Sequence, residues 1–318
     1  MSASNSRALN VLMPKLLSSK DERLSYHPIK RINQIRNQFR GPEAVLSSVL
    51  TSLRRDEIRL VNSLESMPSS GLIWIPSGSL KVLSDPEIDK LNSCRVALGP
   101  NIDWFNDDNL NVISKISHPR LIAPADWVIP IIREKVGLES SALVWAAGLD
   151  LTYWNPSGNH KRQILIYLKT QNSQEELLKL EGYIRSLGFI PKVIRYGQYS
   201  RIDFRKNLDK SYAAIWMGGT ESQGIALFEC WAMNVPTLVI PRDFWKCPEG
   251  RIYPASSAPY LEDALGKFFK ATDITLPEIG DFLKECAMGY FEPRKIMKLK
   301  YSSRSRALSL IKSIESGF

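Results

Sequence analysis

The stretch AAIWMGGTESQGIALFECWAMNVPTLVIP, Ala213 to Pro241, decides the fold. An apolar run, Ala213–Met217, stops at two glycines. A polar loop leads into an almost wholly apolar helix, Gly224–Met233. A second apolar run, Thr237–Ile240, stops at Pro241. Short apolar runs alternating with helices indicate a parallel α/β sheet, whose strands are buried on both faces.

The same rhythm extends outward in both directions. Strands are predicted at Ala8–Met13, Leu72–Ile75, Val96–Leu98, Leu121–Ala123, Leu143–Ala146, Ile164–Leu168 and Lys192–Ile194, several of them stopping at Pro or Gly. Loops at such carboxyl ends build the sites of open α/β folds. Apolar spacing predicts a helix after Gly41-Pro42-Glu43, with Pro42 at a first helical position and Gly41 in a close-approach loop. Further helices are predicted at Asp126–Val136, at Gln174–Leu187 with Gly188 as its cap, at Tyr260–Phe269 and from Pro277 to Ser316. Asp107-Asp108 reads as loop. The polar segment Asp150–His160 breaks the rhythm and suits a linker. The expected organisation is a first α/β domain over 1–152, a second over 153–295, and a basic C-terminal helix over 296–318.

At 318 residues, about two domains are expected. With 44% hydrophobic residues the chain is neither disordered nor a disulfide-stapled miniprotein. Lys and Arg exceed Asp and Glu by 42 to 33, which hints at an anionic partner. Six of those nine surplus charges lie beyond residue 293, where seven cations oppose Glu315 alone. That tail reads either as a solvated helix face or as a contact with an anionic membrane. Cys94, Cys230, Cys247 and Cys286 form no CxxC pair and read as free thiols of a cytoplasmic protein. The N-terminal apolar run is too short for a signal peptide, and no run approaches a membrane span. No zinc finger, helix-turn-helix or RRM signal supports nucleic-acid binding. No G-x-G-x-x-G supports a Rossmann dinucleotide enzyme.

Glu229 is the only carboxylate between Gly224 and Ile240. A buried carboxylate needs a partner, so it predicts either an internal ion pair or bonds from ligand hydroxyls, such as the adjacent pair of a ribose. Eight residues earlier, Glu221 lies in the loop before the helix that Gly224 opens. A helix N-terminus at a strand end can take phosphate. Glu221 either favours the helix dipole or meets sugar hydroxyls.

Glu221-Ser-Gln-Gly224-Ile-Ala-Leu-Phe-Glu229, continued by Cys230-Trp-Ala-Met233 and Pro236-Thr-Leu-Val239, resembles the E-x7-E motif of retaining GT-B glycosyltransferases of the family 4 type. Ala146-Ala-Gly-Leu-Asp150 with Trp154-Asn-Pro156 is similar to that family's domain junction. Arg120-Leu-Ile-Ala-Pro-Ala-Asp-Trp127 resembles the end of its first domain, and Gly41-Pro42-Glu43-Ala44 its glycine loop. The resemblance implies a GT-B architecture of two Rossmann-like domains facing a cleft, with the C-terminal helix returning to the first. It implies retaining transfer from a nucleotide-diphosphate sugar to a glycan or lipid-linked acceptor, in polysaccharide or glycoconjugate biosynthesis, without metal or cofactor. On that reading Glu221 orients the donor sugar, Lys169 stabilises the leaving diphosphate, Glu229 holds the ribose, and Ser222, Gln223, Gly224 and Ile225 line the donor. Gly41 lets the first domain approach the substrates. It also implies work in the cytoplasm, with the basic tail as a peripheral contact to the inner membrane face. Lys169 stands where the family has the Arg of a G-R-x-x-x-x-K phosphate clamp, and Gln174 where it has the Lys. The alternative is therefore a non-catalytic GT-B-like protein that binds nucleotide or sugar without turnover.

Overall fold

The computed structural model describes residues 9–12, 41–61, 69–76, 83–100, 107–137, 142–158, 161–169, 174–270 and 274–316. In chain order the elements are β1 (Leu9–Leu12), α1 (Gly41–Leu50), β2 (Ile58–Val61), β3 (Leu72–Ile75), α2 (Asp85–Leu91), β4 (Arg95–Leu98), α3 (Asp107–Lys115), β5 (Arg120–Ala123), α4 (Ile129–Val136) and β6 (Ala142–Val144). Then follow β7 (Gln163–Leu168), α5 (Gln174–Ser186), β8 (Ile190–Arg195), α6 (Arg201–Lys210), β9 (Ser211–Met217), α7 (Ile225–Ala232), β10 (Thr237–Val239), β11 (Phe244–Lys246), β12 (Ile252–Pro254) and β13 (Gly266–Phe268). Three helices end the chain: α8 (Leu276–Ala287), α9 (Pro293–Lys300) and α10 (Ser303–Glu315).

The chain divides into two compact units, Met1–Gly148 with Ser303–Phe318, and Leu149–Ser302. The sequence suggested divisions after 152 and 295. They shift because Leu149 N–H donates to the Tyr301 carbonyl and Leu149 bridges Ser302, which ties both segments into the second unit. The C-terminal helix α10 does return to the first unit.

The first unit holds a six-stranded sheet, ordered β2-β1-β3-β4-β5-β6, with all its pairs parallel. Its strands read as apolar runs because both faces are covered, and Ile73, Trp74, Val96 and Ala97 are fully buried. Helix α10 joins this unit through arginines. Arg304 donates to the Ser52 carbonyl and forms a two-pronged ion pair with Glu57, which holds the Glu57 carboxyl down at about 2. Arg306 Nε donates to the Ala146 carbonyl at 2.8 Å.

The second unit holds a five-stranded parallel sheet, ordered β13-β10-β9-β7-β8, and the antiparallel hairpin β11-β12. After β7 the chain adds β8 on one side, then crosses back to lay β9 on the other. The carboxyl ends of β7 and β9 are therefore the switch point of this sheet, the place where open α/β folds bind ligands.

Four sequence expectations change. Gly41 is the first residue of α1 rather than part of a loop before it, because the helix starts one residue ahead of Pro42; residues 13–40, including the polar stretch from Ser18, lie outside the described residues. Asp107 and Asp108 are the first two residues of α3 rather than loop. The helix expected from Asp126 begins as a 3-10 turn, Asp126–Val128, before α4. Tyr260–Phe269 is not a helix: Gly266 takes φ +149° and Gly266–Phe268 pairs with Thr237–Val239.

Arg294, counted in the sequence as a tail cation, is a structural hub of the second unit. Its guanidinium donates to the carbonyls of Trp154, Ala232 and Leu151 and to Asn155 Oδ1. Arg294→Ala is expected to destabilise this unit by about 2–3 kcal/mol, since several acceptors lose a charged donor at once. A lowered urea midpoint checks it; an unchanged midpoint contradicts it.

Candidate functional site

The site is built at the switch point of the second unit. Lys169 follows β7 directly, and its N–H donates to the Met217 carbonyl at the end of β9. Its Nζ lies 2.8 Å from Glu221 Oε1 and 5.1 Å from the centre of the Tyr196 ring. Glu221 sits in the glycine loop after β9, and its N–H donates to the Ser256 carbonyl at 2.8 Å. Burial raises the Glu221 carboxyl above the ordinary carboxylate range, and the Lys169 charge works against that rise. Glu221 is thus a salt-bridge partner of Lys169, while the cap of α7 is Gly224.

Gly224 takes a left-handed conformation, φ 81° and ψ 56°, that favours glycine. A Cβ there would also meet the Leu227 side chain at 3.1 Å. The Gly224 carbonyl accepts from the Leu227 and Phe228 N–H groups, and the N–H groups of a helix start, which lack acceptors within the helix, can take an anion. Ser222 and Ile225 flank this turn half-buried, and Gln223 is buried. The helix is apolar all round because it is enclosed: Leu227, Phe228, Cys230, Trp231 and Ala232 are fully buried.

Glu229 is the exception on that helix, 7% exposed. Its Oε1 lies 3.5 Å from Arg201 Nε. Arg201 is the first residue of α6, a helix capped by Ser200, whose Oγ accepts from the Asp203 N–H. The Arg201 guanidinium lies over two rings, with centroids 4.7 Å away at Tyr153 and 5.1 Å away at Trp154. Burial pushes the Glu229 carboxyl up to about 7, against the pull of Arg201.

A tyrosine pair completes this wall. The Tyr167 and Tyr199 hydroxyls are 3.1 Å apart, and Tyr167 stacks on Trp216 with centroids 3.8 Å apart. Burial raises both phenols, and the charges of Glu221 and Glu229 add to that rise at Tyr167 and Tyr199 respectively. Both hydroxyls therefore remain protonated donors at neutral pH.

Of the residues expected from the sequence, Lys169 and Glu221 are in direct contact, and Ser222, Gln223, Gly224 and Ile225 form the loop and first turn between Glu221 and Glu229. Gly41 belongs to the other unit. Sequence reasoning missed Arg201, Tyr167 and Tyr199. The signal for Arg201 was present but faint: a lone carboxylate on an apolar helix demands a cation, and Ser200 to Asp203 is a helix-start pattern. Among the described residues, no group of three or more His, Cys, Asp or Glu could hold a metal ion, and no helix is long and apolar enough to cross a membrane.

No protein-family model and no curated protein matches the sequence. Solved structures do share the fold. AviGT4, a glycosyltransferase involved in avilamycin A biosynthesis, is 12% identical, with a TM-score of 0.51 over 97% of this chain and 97% of its own. A variant of S. aureus TarM, crystallised with fondaparinux, alpha-GlcNAc-glycerol and UDP, is 10% identical, with a TM-score of 0.50 over 85% of this chain. The chain spans 58% of the length of that TarM. At such identities the likeness concerns the fold, which is α/β of the GT-B class.

Proposed function

We propose that the chain transfers a sugar from a nucleotide-diphosphate sugar to a glycan or lipid-linked acceptor, with retention at the anomeric carbon. The observation that carries this reading is the meeting, around one switch point, of a lysine, a half-buried and a buried glutamate, and a glycine-capped helix N-terminus. Lys169 and the first N–H groups of α7 offer positive charge to a leaving diphosphate as the bond from the anomeric carbon to the phosphate oxygen breaks. Glu221 accepts from donor-sugar hydroxyls, and Glu229 from the two ribose hydroxyls. The acceptor hydroxyl attacks from the leaving-group side, and its proton passes to the departing phosphate. These fixed donors do the work for which other transferases use a metal ion, so no metal is required on this reading. The UDP held by TarM makes uridine diphosphate the first nucleotide to try.

Calorimetry with uridine, guanosine and adenosine diphosphates tests the ribose assignment. At least one is expected to bind, and Glu229→Ala to weaken it by about 10–100-fold, the worth of a charged hydrogen bond or two. Binding by none, or equal binding by Glu229→Ala, contradicts it.

A second reading, nucleotide binding without turnover, draws support from two observations. The Lys169 charge is already engaged by Glu221, and Gln174 stands exposed at the start of α5 where a second cation was expected. Turnover separates the two readings.

The setting we propose is polysaccharide or glycoconjugate synthesis in the cytoplasm. A peripheral membrane contact through the tail rests on a smaller charge than the sequence suggests. Arg294, Arg304 and Arg306 bind within their own units, while Lys295 pairs with Glu292 and Lys300 with Glu262.

A further inference from the structure

Glu229 has an unusual dependence on one neighbour. It rises from a helix whose other side chains around it are apolar and buried, so little but Arg201 opposes the cost of its charge. Arg201 is itself held by aromatic rings. Its guanidinium sits in the corner of two nearly perpendicular rings, Tyr153 and Trp154, which meet at 89° with centroids 5.2 Å apart, and the same Tyr153 carries the Arg205 guanidinium at 5.2 Å. A planar cation lodged in such an aromatic corner keeps its orientation in a way that a lysine does not. Both ring-bearing residues come from the segment after Leu149, on the far side of β7 in sequence from α6, so the cage is a tertiary construction.

We propose that Arg201, caged by Tyr153 and Trp154, is a positioning residue that keeps the Glu229 carboxylate ionised and aimed at the ribose, so that nucleotide affinity depends on pH through this pair. The proposal rests on the nucleotide-sugar reading above and deepens it. The groups facing Glu229 are Arg201 at the start of α6, the Tyr199 phenol just before it, and Cys230 on its own helix; Lys161, ahead of β7, faces Cys230. Burial raises Tyr199 and Cys230, so both stay neutral, and burial lowers Lys161 to about 8. Glu229 alone of these titrates near neutrality as an acceptor. Affinity therefore falls as pH drops through about 7 and levels off above it.

The test is calorimetry with uridine diphosphate from pH 6 to 9 on the full chain. The terminal phosphate of the nucleotide titrates near pH 6, so Glu229→Gln, which carries no charge, supplies that background. Relative to it, the wild-type midpoint is expected near 7. Arg201→Gln is expected to move the midpoint up by about 1–3 units, the usual effect of losing an adjacent opposite charge. Arg201→Lys should bring it back most of the way with several-fold weaker binding. If Arg201→Gln does not fold, Tyr153→Leu, which removes one half-buried wall of the cage, is expected to raise the midpoint by a smaller amount. A profile that Arg201→Gln or Tyr153→Leu leaves superimposed on wild type overturns the positioning role while leaving the nucleotide reading intact. Absence of wild-type binding at every pH with every nucleoside diphosphate overturns the reading itself, and the positioning role with it.

Discussion

Replacing Lys169 with alanine is expected to slow sugar transfer by about a hundred- to a thousand-fold, the usual cost of losing one preorganised group at a developing charge. Two effects combine. The diphosphate loses its nearest fixed cation. Glu221, already raised by burial, loses the charge that holds it ionised and takes up a proton. A protonated Glu221 then meets the donor sugar as a hydroxyl donor, with the wrong hydrogen-bond polarity. The double variant Lys169→Ala/Glu221→Gln should therefore be little slower than Lys169→Ala alone, because the two side chains act as a unit. Lys169→Arg restores the charge on a longer, planar group and should recover part of the rate. Steady-state release of nucleoside diphosphate checks all three, and a Lys169→Ala rate within threefold of wild type would sink this assignment.

Gly266→Ala is expected to be the most damaging single methyl group for stability. Gly266 begins β13 at φ +149°, a region L side chains rarely adopt, and an added Cβ would fall 2.0 Å from the Thr237 carbonyl oxygen. Thr237 cannot move away, because it is fully buried in β10 and pairs with Ala214 of β9 on its other side. Backbone strain of about 1–3 kcal/mol adds to an overpacking cost of similar size. A loss of about 3–5 kcal/mol should lower the melting temperature by roughly 10 °C for a unit of this size. A calorimetric scan reads it directly, and a melting temperature within about 2 °C of wild type would contradict it.

The same glycine shows where sequence reading stops. Tyr260, Leu261, Ala264, Leu265, Phe268 and Phe269 carry a helical spacing, and the pattern overrode the one residue that opposed it. The edge of a sheet made the decision: residues 266–268 pair with β10, a contact that local periodicity does not contain. The interior strands were easier. Leu72–Ile75 and the run at Ile164–Leu168 were legible because burial on both faces demands uninterrupted apolar residues, and Pro76 ends the first of them. Helix α6 was missed because only Phe204 and Leu208 of its ten residues are buried, which leaves almost no stripe to detect. Its first residue proved to be the partner of Glu229, 28 positions away in sequence. Glu229 itself was legible as a charge in the wrong place; the identity of its cation was not, since an ion pair between helices leaves no spacing signature. The tail shows the reverse error, in which a count of exposed-looking charges concealed three arginines that serve as internal donors.

The central claim is that Glu221 and Glu229, one on either side of the α7 N-terminus, serve a nucleotide-sugar. The most direct measurement is release of nucleoside diphosphate and transferred or free sugar from a panel of nucleotide-sugars, with wild type and Glu221→Ala compared side by side. Release from at least one donor by wild type, lost in Glu221→Ala, and an anomeric configuration in the product that matches the donor, is the result this account predicts. Tight nucleotide binding with no release from any donor would contradict catalysis and leave a binding protein on the same fold.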